Sequence, residues 1–206
     1  MSLTLILIII TVLISYSCFN NLELRSKLMF TPYIIDRDKQ YYRFITSGFI
    51  HADFLHLLFN MFVLWMFGGY VEQIFVAIYG TVGYGIYLAL YILGIIISDI
   101  PSFIRHKDEP HYNALGASGG VSSILFSFIM FDPLQDLCLY GLICLPGFIW
   151  GVLYIVYSVY MSKQKRDNVN HDAHLWGGIF GIVFTAIAVP GVISSFLEQL
   201  KDFSVF

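Results

Sequence analysis

The sequence predicts an all-α membrane protein built from six transmembrane helices, and three observations carry that prediction. The 206 residues are 58% apolar and only 12% charged, with a mean hydropathy of +0.75, whereas a soluble domain carries roughly a quarter charged residues. The apolar residues gather into six runs, at 3–19, 52–71, 74–98, 114–131, 137–160 and 171–191, each near the roughly 20 residues that cross a bilayer as a helix. The charges fall almost wholly between the runs. Little chain is left over, so the sequence reads as a single integral membrane domain, 1–206, with no separate soluble unit.

In chain order, no Lys or Arg precedes the first run, which argues against a cleaved signal peptide. Residues 20–50 mix Arg25, Lys27, Asp36, Arg37, Asp38, Lys39 and Arg43 with Phe30, Tyr33, Tyr41, Tyr42 and Phe44, the composition of a connector lying at the membrane surface. Gly68, Gly69 and Glu72 predict a tight turn between the second and third runs. The connector Asp99–Asn113 is polar and holds Pro101 and Pro110. The fourth run is short, rich in Gly and Ser, and stopped by Asp132-Pro133. The fifth is followed by SKQKRDNVN, and the sixth by a short amphipathic tail. There are no internal repeats and no low-complexity tracts.

A net charge of −3 without a Lys/Arg-rich face excludes a nucleic-acid partner. Cys18, Cys138 and Cys144 sit in apolar runs at irregular spacing, which predicts buried free thiols rather than a disulfide framework or a zinc site. Every Lys and Arg except Lys201 lies in the first, third or fifth connector. The positive-inside tendency puts those odd connectors in the cytoplasm.

Three runs carry polar groups where hydrocarbon is expected, and such groups point to function. In HADFLHLLFN (51–60), His56 and Asn60 are four apart and fall within about 40° of each other on a helix. His51 stands at the mouth of the same helix. His and Asn both donate to a developing negative charge, and both also serve as hydrogen-bonding glue between membrane helices. In NALGASGGVSS (113–123), Ser118 is flanked by Gly116, Gly119 and Gly120 near a helix start, where unbonded N–H groups and the positive dipole end favour an oxyanion. Close packing of small residues explains the glycines equally well. In HDAHLWGGIFGIVF (171–184), His174 shares a stripe with Gly177 and Gly181, a close-packing face. Docked on the glycine face of the fourth helix, His174 meets Ser118 as its general base; the alternative is a histidine bonded to a neighbour's backbone. Alternating topology brings all three helices in from the odd-connector side, and each bears its polar residues early, so the groups fall at one depth.

These motifs, in this order, resemble the rhomboid family of intramembrane serine proteases over residues 41–191. Tyr42-Arg43 is similar to the Trp-Arg of the family's first loop. His51, His56 and Asn60 match its His-x4-His-x3-Asn, and Gly68-Gly69 with Glu72 the end of that helix. Gly116-Ala117-Ser118-Gly119 matches Gly-x-Ser-Gly, and Ala173-His174 with Gly177 and Gly181 matches the sixth helix. The resemblance implies a six-helix rhomboid-type bundle and a Ser118–His174 dyad, with His56, Asn60 and the Ser118 N–H holding the oxyanion. His51, Gly116, Gly119, Gly177 and Gly181 would have supporting roles, and no cofactor or metal is expected. Its partners would be single-span membrane protein substrates and the lipid bilayer, and its location the inner (plasma) membrane of a bacterium as a multi-pass protein. Asp172 lies about 200° around the helix from His174 and is no third member. The chain departs from the family at Ser122, where an aromatic residue often packs on the catalytic imidazole, and at Tyr42. In many bacterial members the active-site end faces away from the cytoplasm, opposite to the charge bias. An inactive, client-binding rhomboid-like protein would be expected to lack Ser118 or His174. A metal or proton transporter built on His51, His56, His171 and His174 would need a His-Glu-x-x-His pattern or a carboxylate deep in a run, and none is read here.

Overall fold

The computed structural model describes residues 2–139, 142–164 and 170–203. Its elements are α1 (Leu3–Phe19), three short surface helices α2 (Leu22–Leu28), α3 (Pro32–Asp38) and α4 (Arg43–Thr46), then α5 (Phe54–Tyr79), α6 (Val82–His106) and α7 (Ser118–Phe131). A hairpin of β1 (Asp136–Leu139) and β2 (Ile143–Pro146) leads to α8 (Gly147–Gln164), α9 (His171–Ala188) and α10 (Val192–Lys201). Among the described residues, α5 and α6 are each long and apolar enough to cross a membrane, and α9 with α10 forms a further apolar pair bent by 110°. The α7 helix is central and packs on α5, α6 and α9.

Local chemistry sets the helix starts. Asn21, Asp53 and Asn170 cap α2, α5 and α9, accepting from the backbone N–H of Leu24 (2.9 Å), His56 (2.8 Å) and Ala173 (3.2 Å). The packing sides are those of membrane helices. The α1 helix buries Thr4, Leu7, Thr11, Ser15 and Cys18 and leaves Leu13 and Tyr16 outward, 62% and 70% exposed, because small residues let helices approach while large apolar ones face lipid. The surface connector is drawn together by buried Arg43, which donates to Gln40 Oε1 and to the Ser26 and Met29 carbonyls, each at 2.8 Å.

Several expectations are corrected. Gly68-Gly69 makes no turn, since α5 runs on to Tyr79 and turns at Gly80 (φ +60°). Gly68 serves close approach instead, for a methyl group there would meet Tyr87 Oη at 2.7 Å and Thr4 Cγ2 at 2.8 Å. Glu72 is therefore buried within a helix, where its carboxylate accepts from the N–H groups of Leu3 and Thr4 (both 2.8 Å) and the Thr4 hydroxyl (2.6 Å). Asp99 is buried in α6, which continues through Pro101 with Ser98, Asp99, Ser102 and His106 all buried. Two carboxylates thus lie inside helices, contrary to expectation. The fourth run starts its helix only at Ser118, because Ala114 is held extended against Phe30 by a reciprocal pair of backbone bonds (3.0 and 2.9 Å). The fifth run begins not as helix but as the hairpin, in which Cys138 lies opposite Cys144 in a disulfide; Cys18 is a buried free thiol. The sixth run ends at Ala188, and Gly191 (φ +86°) turns the chain into α10. Lys165 and Arg166 lie outside the described residues.

Candidate active site

Glycines bring the helices of the site together. A methyl group on Gly177 of α9 would stand 2.9 Å from Gly119 Cα of α7, and one on Gly181 would stand 2.8 Å from Ser123 Cα. On the other side of α7, a methyl on Gly120 would meet the Tyr91 carbonyl of α6 at 2.7 Å. Ser123 Oγ lies 2.9 Å from the carbonyl oxygens of both Gly119 and Gly177, and the Thr185 hydroxyl 2.8 Å from Ser127 Oγ. The glycine stripe of the sixth run therefore docks on α7 as its spacing suggested. Ser118 is next to Gly119, and His174 lies one turn before Gly177, so the crossing delivers both to the same place.

That place is a cavity of about 1200 Å³ lined by Ser118, His174, His56, Asn60, Ser122 and Tyr154, among others. Towards the odd connectors its wall includes Arg105, His111, Asn113 and Asn170. Leu55, Phe59 and Val63 of α5 and Met161 of α8 also line it. Ser118 is the first residue of α7, so its N–H belongs to the first turn, where a helix offers donors without intrahelical acceptors. The loop beneath it is fixed by the Gly116 N–H, which donates to the Ser47 carbonyl (2.9 Å). Gly116 has φ +128°, and a methyl on it would meet His56 Cε1 and Nε2 at 2.7 and 2.8 Å. Only glycine serves there, and the His56 ring lies directly against the loop that leads into Ser118.

His51 does not line the cavity. It is fully buried behind His56, the two rings 4.9 Å apart and edge-on. Its Nε2 accepts from the Ala117 N–H (3.3 Å), so Nδ1 carries the proton and faces Ser15 Oγ at 3.0 Å; that hydroxyl donates to the Phe49 carbonyl (3.1 Å). Burial, with the neighbouring His56 adding to it and Asp53 opposing, pushes the imidazole down from 6.5 to about 3. Asn60 uses one amide N–H on the His56 carbonyl of its own helix (3.0 Å) and has a second.

His174 stands between two rings. Tyr154 of α8 stacks on it with centroids 5.9 Å apart and planes at 23°, and His171 meets it edge-on at 5.7 Å. Ser122, the buried position where an aromatic residue is absent, hydrogen-bonds the Tyr154 hydroxyl at 2.7 Å. Asp172 turns away to Arg105 and Ser162. Reading the sequence missed Tyr154 and Ser15. Tyr154 is one of three tyrosines, with Tyr157 and Tyr160, at successive turns of an apolar run, and spacing alone does not separate it from its neighbours.

The profile of the Rhomboid domain matches residues 38–191. The chain is 28% identical over 148 residues to RHOMBOID-like protein 12, mitochondrial, of Arabidopsis thaliana, covering 65% of this chain and 42% of that protein. It is 25% identical over 158 residues to the Rhomboid protease GlpG of Haemophilus influenzae, covering 76% and 74%. With Presenilin-associated rhomboid-like protein A, mitochondrial, of Danio rerio it shares 29% identity over 147 residues, covering 67% and 35%. It thus spans less than half the length of the two mitochondrial relatives. A match over three quarters of the chain, running through α5 to α9, makes this chain a member of the rhomboid family and an integral membrane protein.

Proposed function

We propose that the chain is an intramembrane serine endopeptidase that hydrolyses peptide bonds of single-span membrane proteins, with α1, α5, α6, α7, α8 and α9 as six transmembrane helices of one domain. The observation that carries this reading is the shared cavity. A hydroxyl at a helix N-terminus and an imidazole line it together with a second imidazole and a carboxamide, at a crossing where α7 and α9 touch backbone to backbone. In the proposed cycle His174 takes the Ser118 proton as Ser118 Oγ attacks the scissile carbonyl carbon. His56, the second amide N–H of Asn60 and the Ser118 N–H hold the oxyanion. The amine product leaves with the proton from His174. Water, deprotonated by His174, then attacks the acyl ester and frees the carboxylate half and Ser118. Neither a cofactor nor a metal takes part in this scheme.

The Haemophilus relative, which is named as a protease, supports the activity. We place this chain in a bacterial plasma membrane on the bacterial source of that relative, while the relatives from Arabidopsis thaliana and Danio rerio are named mitochondrial. The test is labelling by a fluorophosphonate probe, paired with cleavage of a reporter membrane substrate in liposomes. Wild type is expected to be labelled and to cleave. Ser118→Ala and His174→Ala should do neither, and Asn60→Ala should be labelled but turn over about 10²-fold more slowly, the usual cost of one oxyanion donor. A label that survives Ser118→Ala and vanishes in Ser122→Ala would move the nucleophile. A wild type that neither labels nor cleaves would leave a client-binding protein.

A further inference from the structure

We infer that Tyr154 is the positioning residue for His174, and that Ser122 holds Tyr154 in place, so that α8 supplies the brace for the general base. The inference rests on the protease reading above. Tyr154 is fixed from three directions. Its hydroxyl is tied to Ser122 Oγ at 2.7 Å, the Phe126 ring meets it at a tilt of 63° with centroids 5.6 Å apart, and its face lies along His174. Ser122 and Phe126 follow Ser118 at one-turn intervals on α7. The helix that carries the nucleophile therefore also grips the ring that lies on the base. A near-parallel offset pair of rings at this separation is an attractive arrangement, and it restrains the imidazole against rotation out of the plane in which Nε2 can face Ser118.

This arrangement also gives Ser122 a purpose other than nucleophile. Its Oγ is committed to the Tyr154 hydroxyl although both line the cavity, while Ser118 stands at the start of the helix. Tyr154 joins α8 both to α7, through Ser122, and to the His174 ring. Displacement of α8 would thus reach the chemistry through this ring.

The experiment is steady-state cleavage of a reporter membrane substrate in liposomes by the full chain, with active fraction counted by fluorophosphonate titration and folding checked by thermal melting. Tyr154→Leu is expected to lower kcat about 10²-fold, the scale of a misplaced catalytic group, with KM unchanged. Tyr154→Phe retains the ring and should recover most of that loss, ending about fivefold below wild type, the worth of one ordinary hydrogen bond. Ser122→Ala should show the same loss, and the double variant Ser122→Ala/Tyr154→Phe no further one, because both remove the same bond. Should Tyr154→Leu fail to fold, this cycle of hydroxyl variants decides alone. A Tyr154→Leu enzyme with wild-type kcat, additive losses in the cycle, or losses that merely follow the melting temperature would overturn the inference while leaving an active wild type intact. A wild type without turnover removes the protease reading and this one with it.

Discussion

At the scale of single residues, His51 links the stability of the molecule to acidity. Its Nε2 must remain unprotonated to accept from the N–H of Ala117, the residue before the candidate nucleophile. Burial, reinforced by the adjacent His56, holds its value near 3 in the fold against an ordinary 6.5. A depressed histidine favours the neutral fold, so its contribution is fully present above 6.5 and is lost as pH falls from there towards 3. His51→Asn should therefore melt below wild type at pH 7, and the gap should narrow steadily as the solution is acidified. A gap that does not change with pH would refute that linkage. The polar groups set into apolar runs were legible in the sequence because hydrocarbon makes them conspicuous: His56, Asn60, Ser118 and His174 all reach the cavity. Tyr154 was not legible, since a tyrosine in an apolar helix is ordinary. Glu72 was misread as a loop residue because its partners, the first N–H groups of α1, lie 68 and 69 positions away.

At the scale of elements, glycine decides which helices touch, and the surroundings of each glycine differ sharply. Gly181 faces the Ser123 backbone, which cannot move aside without breaking α7, whereas a methyl group at Gly69 would meet nothing within 4 Å. Gly181→Leu is expected to destabilise the protein by about 3 kcal/mol or more through forced separation of α7 and α9. Gly69→Ala should be neutral or stabilising by about 0.5–1 kcal/mol through helix propensity alone. Thermal melting in detergent compares the two, and equal losses would show that the α7–α9 contact is not the limiting one. That the chain is mainly apolar helix could be read from hydropathy, but where each helix begins and ends could not. A run of apolar letters is the same in α5 beyond Gly69 and in the Cys138–Cys144 hairpin. Only the capping partners, the extended pairing of Ala114 with Phe30 and the positive φ of Gly80, Gly116 and Gly191 distinguish them.

At the scale of the whole molecule, the two ends of the bundle differ in chemistry. Arg105, Lys107 and the basic first connector lie at the cavity end, while the disulfide hairpin joins α7 to α8 at the other. Lys and Arg favour the cytoplasmic side and disulfides persist outside it, so the hairpin is expected on the oxidising face with the cavity mouth towards the cytoplasm. In intact cells Cys138 and Cys144 should resist an alkylating reagent until reductant is added, and immediate alkylation would count against this orientation. The length of α7 has its own consequence. Its 14 residues span about 21 Å of a hydrocarbon layer about 30 Å thick. At its far end the Phe131 carbonyl accepts from Gln199 of α10. Under the proposed six-span arrangement a helix this short leaves Ser118, which opens onto the cavity, below the level of the lipid headgroups. A guest helix at that depth keeps its carbonyls locked in its own backbone ladder, and loosening them in oil is expensive. Under the proposed protease activity such a site would select a weak stretch of ladder, and the rate of cutting would follow how readily a guest frays rather than which side chains it displays.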